Sequence, residues 1–255
     1  MKDRDLLCGV NPIIEKLKTT PAQITEIILM QGPQRATLHG IEFEGRRLGI
    51  KISYRSPRVL DQLARGQKHQ GVVAWVEPYS YRSFSDLEQG LRKSQGAYWV
   101  LVLDGITDPR NFGALLRTAE AVGIRDVMIP KDRSVGVTPA VAKASAGAIH
   151  HMRIFRVANL RRAIAALKKQ GLWIVGLEAT SRVEFHRRNY PARIAVVLGS
   201  EGRGIRPLVQ KECDFLVAIP MCGQISSLNV SVAGAVFLYE LLRQHSSIDK
   251  DGGKS

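Results

Sequence analysis

The chain has 255 residues, 45% of them apolar and 24% charged, which suits one or two globular domains and excludes a collagen-like, low-complexity or disordered chain. Lysine and arginine number 37 against 23 acidic residues, a formal net charge of +14, so a polyanion is the first partner to consider. Three cysteines, none in a C-x-x-C pair, argue against a disulfide framework or a cysteine zinc site and point to a reducing cytoplasm.

From Val10 to about Tyr79 short helical and extended patterns alternate. "NPIIEKLK" reads as a helix opened by Pro12, "ITEIILM" as a buried strand and "RLGIKIS" as an alternating strand. "SPRVLDQLARG" reads as a helix closed by Gly66, and "GVVAWV" as a strand. This predicts a small α/β domain over 1–79. Residues 80–97 are polar and punctuated by glycine, with a weak helical pattern at Leu87 and Leu91, and are assigned as a linker. The charged start "MKDRDLLCGVNPIIEK" does not fit a signal peptide, and no apolar run reaches membrane-spanning length, so a soluble cytoplasmic protein is expected.

Residues 98–245 contain strand-like runs at "YWVLVLDG", "RDVMIP", "MRIFRV", "LWIVGLE", "IAVVLGS" and "FLVAIP", separated by helical patterns. Near-continuous apolar strands alternating with helices predict a parallel sheet covered on both faces, hence an α/β fold. The helix "NFGALLRTAEAVG" places Phe112, Leu115, Leu116, Ala119 and Val122 on one stripe. "LRRAIAALKKQG" should bury Leu160, Ile164 and Leu167, and "NVSVAGAVFLYELLRQH" should bury Val230, Ala233, Phe237 and Leu241. The final residues, 246–255, read as a polar tail.

In an open parallel sheet ligands bind beyond the carboxyl ends of the strands, and three such loops carry polar residues. After Asp104 comes "GITDPRNFGALLRT", where Asn111 is either a helix cap or a substrate contact. Arg117, in a helix apolar on its inner faces, is expected to face inward and to need an anion. "VVLGSEGRGI" surrounds Ser200, Glu201 and Arg203 with glycines in a spacing that is neither a dinucleotide fingerprint nor a Walker A loop. In "IPMCGQISSLNVSVAG" a polar loop leads to Ser227 and Asn229, either of which can cap the last helix. His150 and His151 are adjacent, so they cannot converge on one metal as i, i+4 ligands do, and no metal site is expected. "HRRNYPAR", from His186 to Arg193, is either a solvated loop or a phosphate contact.

Together and in this order, "NFGALLRTAEAVG", "VVLGSEGRGI" and "IPMCGQISSLNVSVAGAVFLYE" resemble the three motifs of the SpoU, or TrmH, family of SPOUT RNA 2'-O-ribose methyltransferases. "GVNPIIEKL" and "HQGVVA" resemble the substrate-binding domain of bacterial 23S ribosomal RNA guanosine 2'-O-methyltransferases. The resemblance implies a trefoil knot, bound S-adenosylmethionine, ribosomal RNA as substrate and a homodimer whose active site draws on both chains. It places the cofactor at Thr180, Gly199, Ser200, Glu201, Gly202, Ile219, Pro220, Met221, Leu228 and Asn229. Catalytic and substrate roles fall on Asn111, Arg117, Glu201, Ser227 and Asn229. An arginine stays protonated in proteins, so Arg117 is assigned to phosphate binding and alkoxide stabilisation, with water or a phosphate oxygen taking the proton. A tRNA ribose methyltransferase, or an RNA-binding ribosome-assembly factor without turnover, would share the same motifs.

Overall fold

The structure is a computed structural model that describes residues 5–32 and 36–246. Its chain divides into two compact units, Met1–Ser80 and Tyr81–Ser255. Of the expected tail, Ser246 closes the last helix and the rest lies outside the described residues.

The first unit is built on β1 (Asp5–Cys8), β2 (Ile24–Met30), β3 (Lys51–Arg55) and β4 (Val72–Val76), in the order β1-β4-β2-β3. β4 runs antiparallel to both β1 and β2, and β2 runs parallel to β3. Alternation along β2 sends Ile27 and Leu29 to one face and Ile28 to the other. The first face is covered by α1 (Val10–Thr19) and α2 (Ala36–Arg47), which contribute Ile13, Leu17, Leu38 and Ile41. The second receives Leu60 of α3 (Pro57–Ala64), a helix that ends in a left-handed Arg65.

α2 and β1 carry no clear sequence signal. Glycine disfavours helix interiors, and α2 contains Gly40 and Gly45. Gly45 is nonetheless favoured by packing, because a β-carbon there would fall 2.8 Å from Ile52 Cδ1 and 3.0 Å from Ile27 Cδ1. Tertiary packing therefore overrides propensity. The strand expected over "RLGIKIS" begins only at Lys51, since α2 runs on to Arg47.

Residues 80–97 are not simply a linker. Ser83 and Asp86 form a reciprocal capping box that starts α4 (Phe84–Lys93). Leu87 and Leu91 are buried in the core of the second unit. With only two buried positions in ten residues, the helix is fixed by its cap and by packing more than by a visible stripe.

The second unit holds a six-stranded, wholly parallel sheet of order β10-β8-β9-β5-β6-β7. Its strands are β5 (Tyr98–Asp104), β6 (Asp126–Pro130), β7 (Arg153–Val157), β8 (Trp173–Leu177), β9 (Arg193–Gly199) and β10 (Phe215–Val217). One face packs on α4, α7 (Leu160–Lys169) and α8 (Pro207–Gln210) through Leu160, Ile164, Leu167 and Val209. The other packs on α5 (Pro109–Ala121), α6 (Pro139–Ala144) and α9 (Val230–Ser246). Two glycines bring these helices close. A β-carbon on Gly113 would lie 2.4 Å from that of Ala144, and one on Gly234 would lie 2.6 Å from Leu115.

The expected core stripes are buried, except that Ala233 is only half-buried and Gly234 and Leu238 of α9 face the core. "HRRNYPAR" proves largely structural. Tyr190 is buried and donates to the Phe185 carbonyl at 2.6 Å, while Arg193 donates to the Leu91 and Ser94 carbonyls at the end of α4. Arg188 stacks on Phe215, 3.9 Å from its ring centre. Chain order turns back between β5 and β9, so a crevice is expected beyond the carboxyl ends of that pair.

Candidate active site

Register brings the ends of β5 and β9 side by side, Asp104 opposite Gly199. Asp104 is buried, and its carboxylate accepts from the Arg206 backbone N at 2.8 Å and from Arg206 Nε at 2.6 Å. Beyond β8, Glu178 accepts from the Ile205 N at 3.4 Å and from Gln210 Nε2 at 2.9 Å. Two carboxylates therefore hold the loop Gly199–Arg206 from either side. Within it, Ser200 and Gly204 exchange backbone hydrogen bonds of 3.0 and 2.9 Å, and Gly202 and Gly204 take left-handed angles. The result is a tight hairpin with Glu201 exposed near its tip.

α5 starts at Asp108, whose side chain accepts from the Arg110 N at 2.8 Å, with Pro109 in the first turn. Asn111 is therefore not the cap. Only 8% exposed, it accepts a hydrogen bond from Asn229 Nδ2 at 3.0 Å. Asn229 Nδ2 also donates to Glu201 Oε1. Asn229 Oδ1 accepts from the Ser231 N at 2.9 Å and from Ser231 Oγ at 2.6 Å, which caps α9. One amide thus joins the first turn of α5, the Glu201 loop and the start of α9, and fills its own hydrogen-bonding capacity on both sides.

Arg117 departs from expectation. It is exposed, not inward, and makes no ion pair or hydrogen bond among the described residues. Six residues past Asn111, it leaves the helix about 120° round the axis from that residue. Ser227 is exposed and Thr180 donates to Glu178 at 3.4 Å. From Ile219 to Asn229 the chain forms neither helix nor strand. Ile219, Met221 and Leu228 are half-buried along it, while residues 222–227 are exposed.

Comparison with known proteins gives this arrangement a relationship. The SpoU rRNA Methylase family matches residues 98–239. The RNA 2'-O ribose methyltransferase substrate-binding family matches residues 6–82. The chain belongs to the SpoU rRNA methylase family. It is 38% identical over 247 residues to the "Putative TrmH family tRNA/rRNA methyltransferase YacO" of Bacillus subtilis, covering 97% of this chain and 98% of that one. It is 39% identical over 247 residues to the "23S rRNA (guanosine-2'-O-)-methyltransferase RlmB" of Shewanella oneidensis, covering 97% and 100%. The fold matches the crystal structure of the SpoU methyltransferase AviRb from Streptomyces viridochromogenes in complex with AdoMet, with a TM-score of 0.70 at 20% identity over 96% of this chain and 91% of that one.

Within this SpoU-family site the structure adds three residues that sequence reading did not single out. Asp104, Glu178 and Arg206 fix the loop that carries Glu201. A buried carboxylate closing an apolar strand is the one signal that could have exposed Asp104. Cys213 offers no thiolate, because burial pushes it up to about 12. Among the described residues no group of three or more His, Cys, Asp or Glu side chains is placed to hold a metal, and no helix is long and apolar enough to cross a membrane.

The residues present suit the methyl donor that the resemblance implies. The loops after β8, β9 and β10 leave adjoining strands at one sheet edge. Ile219, Met221 and Leu228 offer half-buried apolar surface for a purine, and the irregular backbone between them leaves peptide groups outside any ladder.

Proposed function

We propose that this chain methylates the ribose 2'-hydroxyl of a guanosine in 23S ribosomal RNA with S-adenosylmethionine, acting in the cytoplasm as a homodimer whose first unit selects the RNA. The observation that carries the reading is the single amide of Asn229 bonded to both Asn111 and Glu201, since it unites all three motifs. The full-length likeness to the Shewanella RlmB supports the choice of ribosomal RNA, and the net charge of +14 supports a polyanion. The trefoil knot implied by the resemblance belongs to this reading.

When bound, the donor supplies an electrophilic methyl on a sulfonium; the ribose O–C bond forms as the S–C bond breaks, and the hydroxyl proton leaves. Thr180, Gly199 to Gly202, Ile219 to Met221, Leu228 and Asn229 hold it. The chain's own task is to place the hydroxyl in line, about 3 Å from the methyl carbon. Asn111 Oδ1 and Glu201 Oε1 are committed to Asn229, which leaves Asn111 Nδ2 to donate and Glu201 Oε2 to accept from the nucleotide. Ser227, exposed two residues before the cap, orients the nucleotide or the cofactor loop.

Arg117 binds the adjoining phosphate and stabilises the developing alkoxide, while water or a phosphate oxygen takes the proton. Its exposed position, turned from Asn111, fits service to the site of a second copy. α9 carries Val232, Val236 and Tyr239 exposed at i, i+4 and i+7, an apolar stripe suited to that second copy.

Labelled S-adenosylmethionine incubated with 23S rRNA, and with tRNA beside it, tests the reading: a label blocking one guanosine 2'-hydroxyl in rRNA is expected, and label confined to tRNA overturns the substrate. Arg117→Lys should keep cofactor affinity and lower turnover about a hundredfold, because a point charge cannot reproduce the guanidinium fork. Co-expressed Arg117→Ala and Asn229→Ala chains, each inactive alone, should regain turnover in mixed dimers. No recovery would place each site within one chain.

A further inference from the structure

The loop that follows β6 presents Lys131, Asp132 and Arg133, all exposed. Arg133 has φ 58°, a left-handed backbone that residues with a β-carbon seldom adopt and that persists only where neighbouring contacts impose it. Here those contacts come from several elements. The Val135 N donates to the Ile106 carbonyl at 2.8 Å and Ser134 Oγ to the same oxygen at 3.2 Å. The Val137 N donates to the Tyr81 hydroxyl at 2.8 Å. Arg156 lies over the Tyr81 ring, 5.3 Å from its centre, and its Nη2 donates to the Lys131 carbonyl at 2.9 Å. A β-carbon on Gly136 would fall 2.7 Å from the Tyr81 hydroxyl and displace it from Val137.

This braced turn adjoins the Glu201 loop. A β-carbon on Gly105 would lie 3.6 Å from the Arg133 carbonyl oxygen and 3.9 Å from the Ser200 β-carbon, so the two loops meet over Gly105. Three arginines of the unit use their guanidinium on the protein, Arg206 on Asp104, Arg193 on the end of α4 and Arg156 on the Lys131 carbonyl, whereas exposed Arg117 does not. Arg133 makes no ion pair or hydrogen bond among the described residues. A guanidinium without a partner, on a backbone held against its preference beside the Glu201 loop, suits a doubly hydrogen-bonded anion supplied by the ligand.

We propose that Arg133 is a substrate-binding residue that takes a backbone phosphate of the RNA next to the nucleotide held by Asn111, Glu201 and Asn229. The proposal rests on the ribose-methylation reading and adds to it a second phosphate contact beside the one assigned to Arg117. A phosphate contact sets register and affinity without reading sequence.

Arg133→Gly is the decisive variant, since glycine accepts the left-handed angle and the fold is retained. With the full-length dimer and a 23S rRNA fragment, RNA affinity should fall about tenfold, and the slope of log affinity against log salt should shrink by about one. Turnover at saturating RNA and S-adenosylmethionine affinity by calorimetry should match the wild type, and Arg133→Lys should lie between. An unchanged salt slope and RNA affinity would overturn the assignment. So would weakened S-adenosylmethionine binding, which would give Arg133 to the cofactor carboxylate. If the wild type binds rRNA without methylating it, the ribose-methylation reading fails, while the salt slope still decides whether Arg133 meets a phosphate.

Discussion

Two loops leave the same edge of the six-stranded sheet and differ in how they are held. Gly199–Arg206 closes on itself as a hairpin and is bonded from outside by Asp104 and Glu178. Ile219–Asn229 has no secondary structure, is exposed over residues 222–227, and is secured where Asn229 caps α9. The difference separates preorganisation from adaptation: one loop sets Glu201 before any ligand arrives, and the other keeps peptide groups available for one.

The contrast is open to direct challenge. Gly199→Ala should have the largest effect, because a β-carbon there would lie 2.0 Å from the Gly204 carbonyl carbon and 2.2 Å from the Ile205 N. A loss of about 4 kcal/mol or more is expected by thermal or denaturant unfolding. Near-native stability would mean that the hairpin is looser than described. Saturating S-adenosylmethionine should stabilise the protein by about 2.7 kcal/mol at a hundredfold excess over Kd, and should slow proteolysis within 219–229 more than elsewhere. Equal protection of both loops would remove the distinction between them. Arg206→Ala leaves the buried Asp104 carboxylate with only a backbone donor from this residue. About 2 kcal/mol is expected, below the value for a fully buried pair because Arg206 is partly exposed. At the small end, Gly223→Ala in the open loop meets nothing within 4 Å and should change stability by less than about 0.5 kcal/mol. A large loss there would show that the open loop is packed.

Much of this architecture can be read along the chain because the signals are local. Six apolar runs become six parallel strands, and the stripe of α5 from Phe112 to Ala119 is buried as its periodicity requires. Short apolar β1 lacks such a pattern, and α2 contradicts helix propensity with two glycines. The site divides in the same way. Asn111, Glu201 and Asn229 are recognisable as polar residues following strands, and the structure brings all three together. Arg117 misleads, because its apolar neighbours suggest an inward side chain while its angular position on α5 leaves it exposed. Asp104 and Arg206 are 102 residues apart, and neither has a local partner that would announce the pair.

Composition, periodicity and the three motifs therefore determined the class of fold, the basic character suited to a nucleic acid, and the family. Tertiary structure alone decided that Asp108 and not Asn111 caps α5, that Asn229 bonds a residue 118 positions away, and that Arg117 is exposed. Periodicity depends on neighbours a few residues distant and survives in the linear text. Hydrogen bonds between strand ends depend on sheet order and register, which exist only once the strands have paired.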